Sequence, residues 1–296
     1  MFIICTFCSS CYTRYKSSMR YFCANISNFK LLKLLPTPIW LAPLLTLALS
    51  MLCWLIMSQL KGSPWDNMAL SHTVEMQEYC EFTDLEAYIR QPANSWSNFF
   101  FLLFGIWVFQ CGWKHRKCSD QFFPLDITLA ITFAYLCFGS FLFHASLTLV
   151  GQHWDMAATY GLVGTLGVCV GLKALETQRG PNILVRWVAL TLALLLDFFF
   201  YLFKWELNSF IALPIEGLLV GGLCVTLYRM DRSRYSAGIL LASQCSIFLA
   251  VALRQLDIAK IGCDPKSWFQ GHAIWHLLTG LSGFLTWRFA TFRPPQ

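Results

Sequence analysis

A chain of 296 residues that is 56% apolar and only 13% charged, with a mean hydropathy of +0.53, has too few polar side chains to coat a soluble globule of its size. Its net charge of +6 comes from basic residues scattered between apolar runs, with no separate soluble domain to present them, which excludes nucleic acid as a partner. The composition is that of a multi-pass integral membrane protein.

Apolar stretches long enough to cross ~30 Å of hydrocarbon at ~1.5 Å per residue recur along the chain. In order they are Ile39 to Leu60, Trp96 to Trp113, Leu125 to Val150, His153 to Lys173, Leu184 to Phe203, Ser209 to Tyr228, Ala237 to Arg254 and Phe269 to Phe289. Their hydrophobicity is continuous where a barrel strand would alternate, and a lipid-exposed backbone must satisfy its own hydrogen bonds, so the spans are predicted to be helices. The fold class expected is an all-α membrane protein. A seven-transmembrane-helix core at 61–296 follows an extra transmembrane helix or signal anchor at 39–60 and a cytoplasmic, poorly ordered tail at 1–38.

The tail carries Cys5, Cys8, Cys11 and Cys23, a spacing that suggests a metal or cluster site, but no partner motif stands beside it and a bland tail is the simpler reading. The first span, behind a basic segment, also has the form of an export signal, starting from Met1 or Met19, so retention and cleavage both stay open. Most of the 22 Lys and Arg residues fall on one side if the amino terminus is inside. Both termini are therefore expected to be cytoplasmic, with the opposite face lumenal or extracellular in a eukaryotic cell and periplasmic in a bacterial one.

The longest outer loop, Lys61 to Asn94, is rich in acids: Asp66, Glu75, Glu78, Glu81, Asp84 and Glu86. Within the spans, each ionisable group costs roughly 2.5–3.5 kcal/mol on insertion scales and is a functional suspect. Ser140 and His144 lie four residues apart in the outer half of the third span, on one helical face. The chain is expected to turn at Val150, Gly151 and Gln152, placing Asp155 in the first turn of the fourth span. The last span opens on Gly-His-Ala-Ile-Trp-His, which sets His272 and His276 at i and i+4, a spacing that can grip one ion. Three histidines, an aspartate and a serine thus reach one membrane depth from three helices. Three neutral imidazoles with an open position form the ligand set of a catalytic zinc site, in which bound water approaches a pKa of ~7. Asp155 is then the natural general base and Ser140 a hydrogen-bond donor to water or carbonyl oxygen. Singly, each residue has a duller reading: an interhelical hydrogen bond for a histidine, packing for Ser140, a helix N-terminal charge for Asp155. Their coincidence in depth and spacing favours the metal site. Asp197 and Glu216, inside the fifth and sixth spans, read equally well as interhelical hydrogen-bonding groups and as functional ones.

At these residues the sequence resembles the alkaline ceramidases and their bacterial relatives, in the wider superfamily that includes the adiponectin receptors. The matching stretches are Tyr-Cys-Glu at 79–81, Gln-Pro-Ala-Asn-Ser-Trp-Ser-Asn at 91–98, Gly-Ser-Phe-Leu-Phe-His-Ala-Ser-Leu-Thr at 139–148, Gly-Gln-His-Trp-Asp at 151–155 and Gln-Gly-His-Ala-Ile-Trp-His at 270–276. The resemblance implies a seven-helix amide hydrolase with Zn2+ on His144, His272 and His276, and with Ser140 and Asp155 as catalytic residues. It also implies a Ca2+ site at the start of the core, whose beginning Glu78, Tyr79 and Glu81 match, with Asp84 or Glu86 as the substitute for a further carboxylate. Gln91 stands where a glutamate is expected, and losing a carboxylate weakens the binding of a hard cation, so a solvated acidic loop is the alternative. Among the 13 cysteines, the topology puts only Cys80 and Cys263 in outer loops, where disulfides are permitted. A Cys80–Cys263 bond is expected, and the resemblance implies it too. The expected activity is cleavage of the N-acyl bond of ceramide or a related membrane lipid. Hydrolysis of a different lipid amide or ester, or a receptor or transporter with structural zinc, stand as alternatives, and oligomeric state is not legible.

Overall fold

The computed structural model describes residues 38–59, 63–117 and 121–291, and is helical throughout those residues apart from loops and one isolated bridge between Leu70 and Thr148. The expected cytoplasmic tail, with its cysteines, lies outside the described residues but for its last position. The helices are α1 (Leu41–Ser58), the short α2 (His72–Glu75) and α3 (Pro92–Ser97), then α4 (Phe99–His115), α5 (Phe123–Ser146), α6 (Leu149–Arg179), α7 (Ile183–Leu202), α8 (Ser209–Met230), α9 (Ala237–Ile258) and α10 (Gly271–Thr291). A single 3-10 turn, Lys204–Glu206, links α7 to α8.

Local chemistry explains most boundaries. The side chains of Thr148, Asn182, Asn208 and Ser236 accept backbone N–H bonds at the starts of α6, α7, α8 and α9, the role for which short polar residues are favoured. Pro92 and Pro124 open α3 and α5, where a missing N–H costs nothing.

Seven helical spans are long and apolar enough to cross a membrane, α3 and α4 counting as one, and they run from α1 to α9. Such a protein is an all-helical one of the integral membrane kind. The expected last span, α10, is not among the seven. It carries His272, His276 and Arg288 within 21 residues. Its polarity is tolerable because it lies inside the bundle, with Phe284, Trp287, Phe289 and Ala290 each about 1% exposed. Helices α4, α5 and α6 are likewise protein-facing, 61% of their apolar windows being buried, against 17%, 11% and 17% for α7, α8 and α9. The core runs through Leu129, Phe133, Leu166, Phe284 and Trp287, between α5, α6 and α10.

One expectation is corrected. The third and fourth spans do not turn at Val150 to Gln152. Helix α5 stops at Ser146, Leu147 takes a left-handed φ of 48°, and Thr148 caps α6, so Asp155 sits in the second turn of α6. The apolar Leu149 and Val150 disguise the break, which is made by the Ser-Leu-Thr segment. Ser146 Oγ and Thr148 Oγ1 bond each other at 2.9 Å, and Thr148 Oγ1 accepts the Gly151 N–H at 3.1 Å.

Candidate metal centre

Backbone geometry brings the site together before any side chain acts. A Cβ on Gly139 would lie 3.0 Å from the Trp154 carbonyl oxygen and 3.4 Å from the Asp155 nitrogen. Only a residue without a side chain lets α5 and α6 approach this closely. The approach brings the stretch of α5 that holds Ser140, 2% exposed, against the stretch of α6 that holds Asp155. One turn further on, His144 is fully buried. The carbonyls that end α5 are not left bare: the backbone N–H groups of Arg90 and Gln91 donate to Ala145 and His144, and the Arg90 guanidinium donates to Ser146. This answers the requirement that orphan carbonyls at a helix terminus find donors.

At the start of α10, Asp257 joins two segments. One of its carboxylate oxygens accepts the His272 N–H at 3.1 Å and the other accepts the Cys80 N–H at 2.9 Å. Gly271 packs against the same group, its would-be Cβ only 2.9 Å from the Leu253 carbonyl and 3.0 Å from Asp257 Cβ. Cys80 and Cys263 form a disulfide with their Cα atoms 5.7 Å apart, and the Phe82 N–H donates to the Pro265 carbonyl at 2.9 Å. The acidic loop and the segment leading into α10 are thereby stitched together at the end of the bundle that holds the histidines.

His144, His272 and His276 converge there, one ligand atom from each lying within 4.8 Å of the others, and all three rings are buried. Nε2 of His144 is 3.2 Å from Nε2 of His272. Ligands at ~2.0–2.1 Å around a tetrahedral metal stand roughly 3.3 Å apart, so this edge already has the dimension of a coordinated pair. The outer nitrogens are oriented from behind: Gln91 Oε1 lies 3.0 Å from His144 Nδ1, and Ser97 Oγ lies 2.7 Å from His276 Nδ1. With Nδ1 of His144 donating to the amide oxygen, its Nε2 carries the free lone pair that a cation needs. His272 Nδ1 is buried with no partner. Three imidazoles without a carboxylate suit a borderline transition-metal ion better than a hard one. Among the described residues no fourth His, Cys, Asp or Glu joins the trio. These residues therefore fit a metal ion held by three neutral nitrogens.

The candidate calcium residues are not gathered in the same way. Glu78 pairs with Arg254 at 3.0 Å, and Arg254 in turn lies 5.7 Å from the Trp275 ring, between the two ligand positions of α10. Tyr79 lays its ring against His272 and His144, centroid distances 4.4 and 5.0 Å. Glu81 accepts the Ala93 and Asn94 N–H groups at 2.6 and 2.8 Å, capping α3, and burial pushes its carboxyl up to about 7. Asp84 accepts the Glu86 N–H at 3.1 Å in a local turn. Within the outer spans, Asp197 accepts a long bond of 3.4 Å from Thr165, an interhelical contact, while one oxygen of Glu216 is buried without a partner.

Sequence reasoning missed the supporting residues. Gln91, read as an absent calcium ligand, orients His144; Ser97 orients His276; Asp257 anchors the first turn of α10. Their one visible signal is the Gln-Pro step at 91–92, which marks a helix start. Beside Gly139, a cleft of about 330 Å3 is lined by Tyr135, Phe138, Gly139, Leu142 and Trp154, nearly all apolar surface.

What the fold and site define is a helical protein of the membrane-spanning kind with a buried three-histidine centre. Neither a protein-family model nor a curated protein sequence matches the chain.

Proposed function

We propose that the chain is an intramembrane, zinc-dependent amide hydrolase similar to the alkaline ceramidases, cleaving the N-acyl bond of ceramide or a related lipid to a fatty acid and an amine. The observation that carries this reading is the convergence of three buried histidines at the end of the bundle where the Gly139 contact sets the α5 segment of Ser140 against the α6 segment of Asp155. A structural metal site is closed by a fourth protein ligand, whereas this trio leaves Asp155 and Ser140 free to act on substrate.

His144, His272 and His276 would hold zinc, which when bound supplies Lewis acidity and makes water nucleophilic at neutral pH. Asp155 takes the proton of the attacking water and returns it to the leaving nitrogen. Ser140 turns its hydroxyl toward the substrate carbonyl oxygen as that oxygen gains charge. Gln91 and Ser97 hold the imidazoles in register. The apolar cleft beside Gly139 receives the acyl chain of a substrate that reaches the site from the bilayer and has almost no aqueous concentration.

In this reading α10 is an eighth crossing, α1 is an addition to a seven-helix core, both termini are cytoplasmic and the histidines face the lumen, cell exterior or periplasm. The test is release of fatty acid from a panel of N-acyl lipids by the purified, zinc-loaded protein. Asp155→Asn and Ser140→Ala should keep the metal and lose most turnover. Full turnover in either variant, or no release from any amide, would defeat the proposal.

A further inference from the structure

The cleft beside Gly139 holds one side chain that does not match its walls. Tyr135, Phe138 and Leu142 of α5 and Trp154 of α6 line it around the glycine, almost all of the lining is apolar, and its volume of about 330 Å3 lies at the lower end of the range of small-ligand sites. Tyr135 contributes the only side-chain oxygen among these residues. That hydroxyl is buried and has no hydrogen-bond partner among the described residues. Its ring is fixed by edge-on packing against Trp154, centroids 5.7 Å apart, and Trp154 packs in turn on Tyr201 of α7 at 5.9 Å.

A membrane tyrosine ordinarily stands at the interface, where its hydroxyl meets water or head groups. Tyr135 stands at the middle of the 24-residue α5, about 16 Å from either end, where neither reaches. A buried hydroxyl left without a partner is costly, and in the wall of a cleft it marks a contact that a ligand completes. Phe138 and Trp154, 53% and 41% exposed, leave the cleft open to the surroundings of the bundle, so at this depth what enters is a hydrocarbon chain from the bilayer. Tyr135 precedes Ser140 by five residues, about 7.5 Å along the axis of α5 toward the bilayer centre. A chain leading inward from the level of Ser140 therefore passes the phenol several carbons from its polar end.

We propose that the cleft takes a lipid chain bearing a hydroxyl part-way along its length, and that Tyr135 is the residue that selects it, by pairing its own hydroxyl with that of the chain. This rests on the hydrolase reading and, with the acyl chain in the cleft, narrows the substrate to amides of fatty acids hydroxylated in mid-chain.

The test separates the two by measuring binding without turnover. Octadecanoic acid, a derivative hydroxylated in mid-chain and a derivative hydroxylated next to the carboxyl, none of which has a bond to cleave, are titrated against the purified full-length protein in neutral detergent. Wild type should bind the mid-chain derivative about fivefold more tightly than the plain acid, and the other derivative no better than the plain acid. Tyr135→Phe removes one oxygen and should bring the mid-chain ratio near one, with affinity for the plain acid unchanged. It should also melt no lower than wild type, since the protein has no hydrogen bond to lose there. Leu142→Trp, which fills the cleft, should weaken both the plain acid and the mid-chain derivative. Equal binding by wild type, a preference that survives in Tyr135→Phe, an equal gain from the hydroxyl next to the carboxyl, or a lower melting temperature in Tyr135→Phe would overturn the proposal. If the ratio holds while no amide is hydrolysed, the chain site stands and the hydrolase reading falls. If amides are hydrolysed and the ratio is absent, the reverse is true.

Discussion

Helices α5, α6 and α10 carry a buried polar cluster at each end, and the two clusters are built on opposite principles. Away from the histidines, Glu176 is held by both Lys173 at 2.8 Å and Arg186 at 2.6 Å, while Asp126 accepts from Gln121 at 2.5 Å and from the Trp287 indole at 2.9 Å. Each carboxylate there is met by donors from another part of the chain. At the other end, His272 Nδ1 has no partner and two imidazole Nε2 atoms face each other at 3.2 Å. Satisfied polar networks fix a fold; unsatisfied ones mark the place where something else binds. The first cluster holds the helices together, and the second brings together three imidazoles that could hold a metal ion.

The contrast breaks most visibly at the ligands. His276→Ala should abolish zinc binding and lower amide hydrolysis by at least ~10³-fold while the protein still inserts and runs as a single species, because removing one of three ligands removes the site. Zinc per mole by elemental analysis, with turnover on the same sample, decides it; a variant that keeps stoichiometric zinc contradicts the assignment.

At the opposite end the signs reverse. Glu176→Gln removes the carboxylate that meets both Lys173 and Arg186, whose side chains are about 7% and 11% exposed, and breaking such a buried pair costs about 3–5 kcal/mol. Thermal unfolding in detergent should shift down by several degrees with zinc content unchanged. Loss of zinc with unaltered melting would mean that the two clusters are not separable.

A finer test lies in the orienting residues. Gln91→Leu removes the acceptor behind His144 Nδ1, and loss of such a partner typically weakens metal affinity about 10–100-fold. Competition with a zinc chelator should show that drop, and Gln91→Glu, which keeps an acceptor, should restore most of it. Equal affinity in Gln91→Leu would show that His144 orients itself.

The smallest effect is a pH dependence at Glu81. Its folded value of about 7 lies above its ordinary 4.5, so the folded state keeps a proton that the unfolded chain has already released. Stability from this group is therefore greatest below about pH 4.5 and declines as pH rises toward 7, at up to roughly 1 kcal/mol per unit. Glu81→Gln should flatten the decline in melting temperature between pH 5 and 7. A profile parallel to wild type would put the pH dependence elsewhere.

Much of this architecture can be read from residue order alone, and the reason is the membrane. Hydrophobicity must be continuous wherever lipid touches the chain, so α1, α5 and α7 to α9 announce themselves, and an ionisable residue inside such a run stands out. That is how His144, Asp155 and the i, i+4 pair of α10 are legible. The Ser146-Leu147-Thr148 break is not, because apolar residues follow it directly and its capping is done by two hydroxyls that look like packing groups. The reduced hydropathy of α10 is concealed for the opposite reason: protein rather than lipid surrounds it, so it need not be apolar. Gln91, Ser97 and Asp257 act through a single hydrogen bond or two each, across 53, 179 and 15 residues of sequence respectively. No local pattern encodes such distances.

Helix α6 has 31 residues and so measures about 46 Å, half as long again as the ~30 Å apolar slab it is expected to cross. The surplus cannot all be absorbed by tilt, and its disposal differs at the two ends. Lys173, Glu176 and Arg179 occupy the last two turns, and Glu176 closes the helix with ion pairs to Lys173 and Arg186. At the other end Asp155 lies six residues in, about 9 Å along the axis from Leu149. On the proposed reading, the enzyme meets the scissile bond in the plane the lipid already occupies, and the substrate need only diffuse sideways.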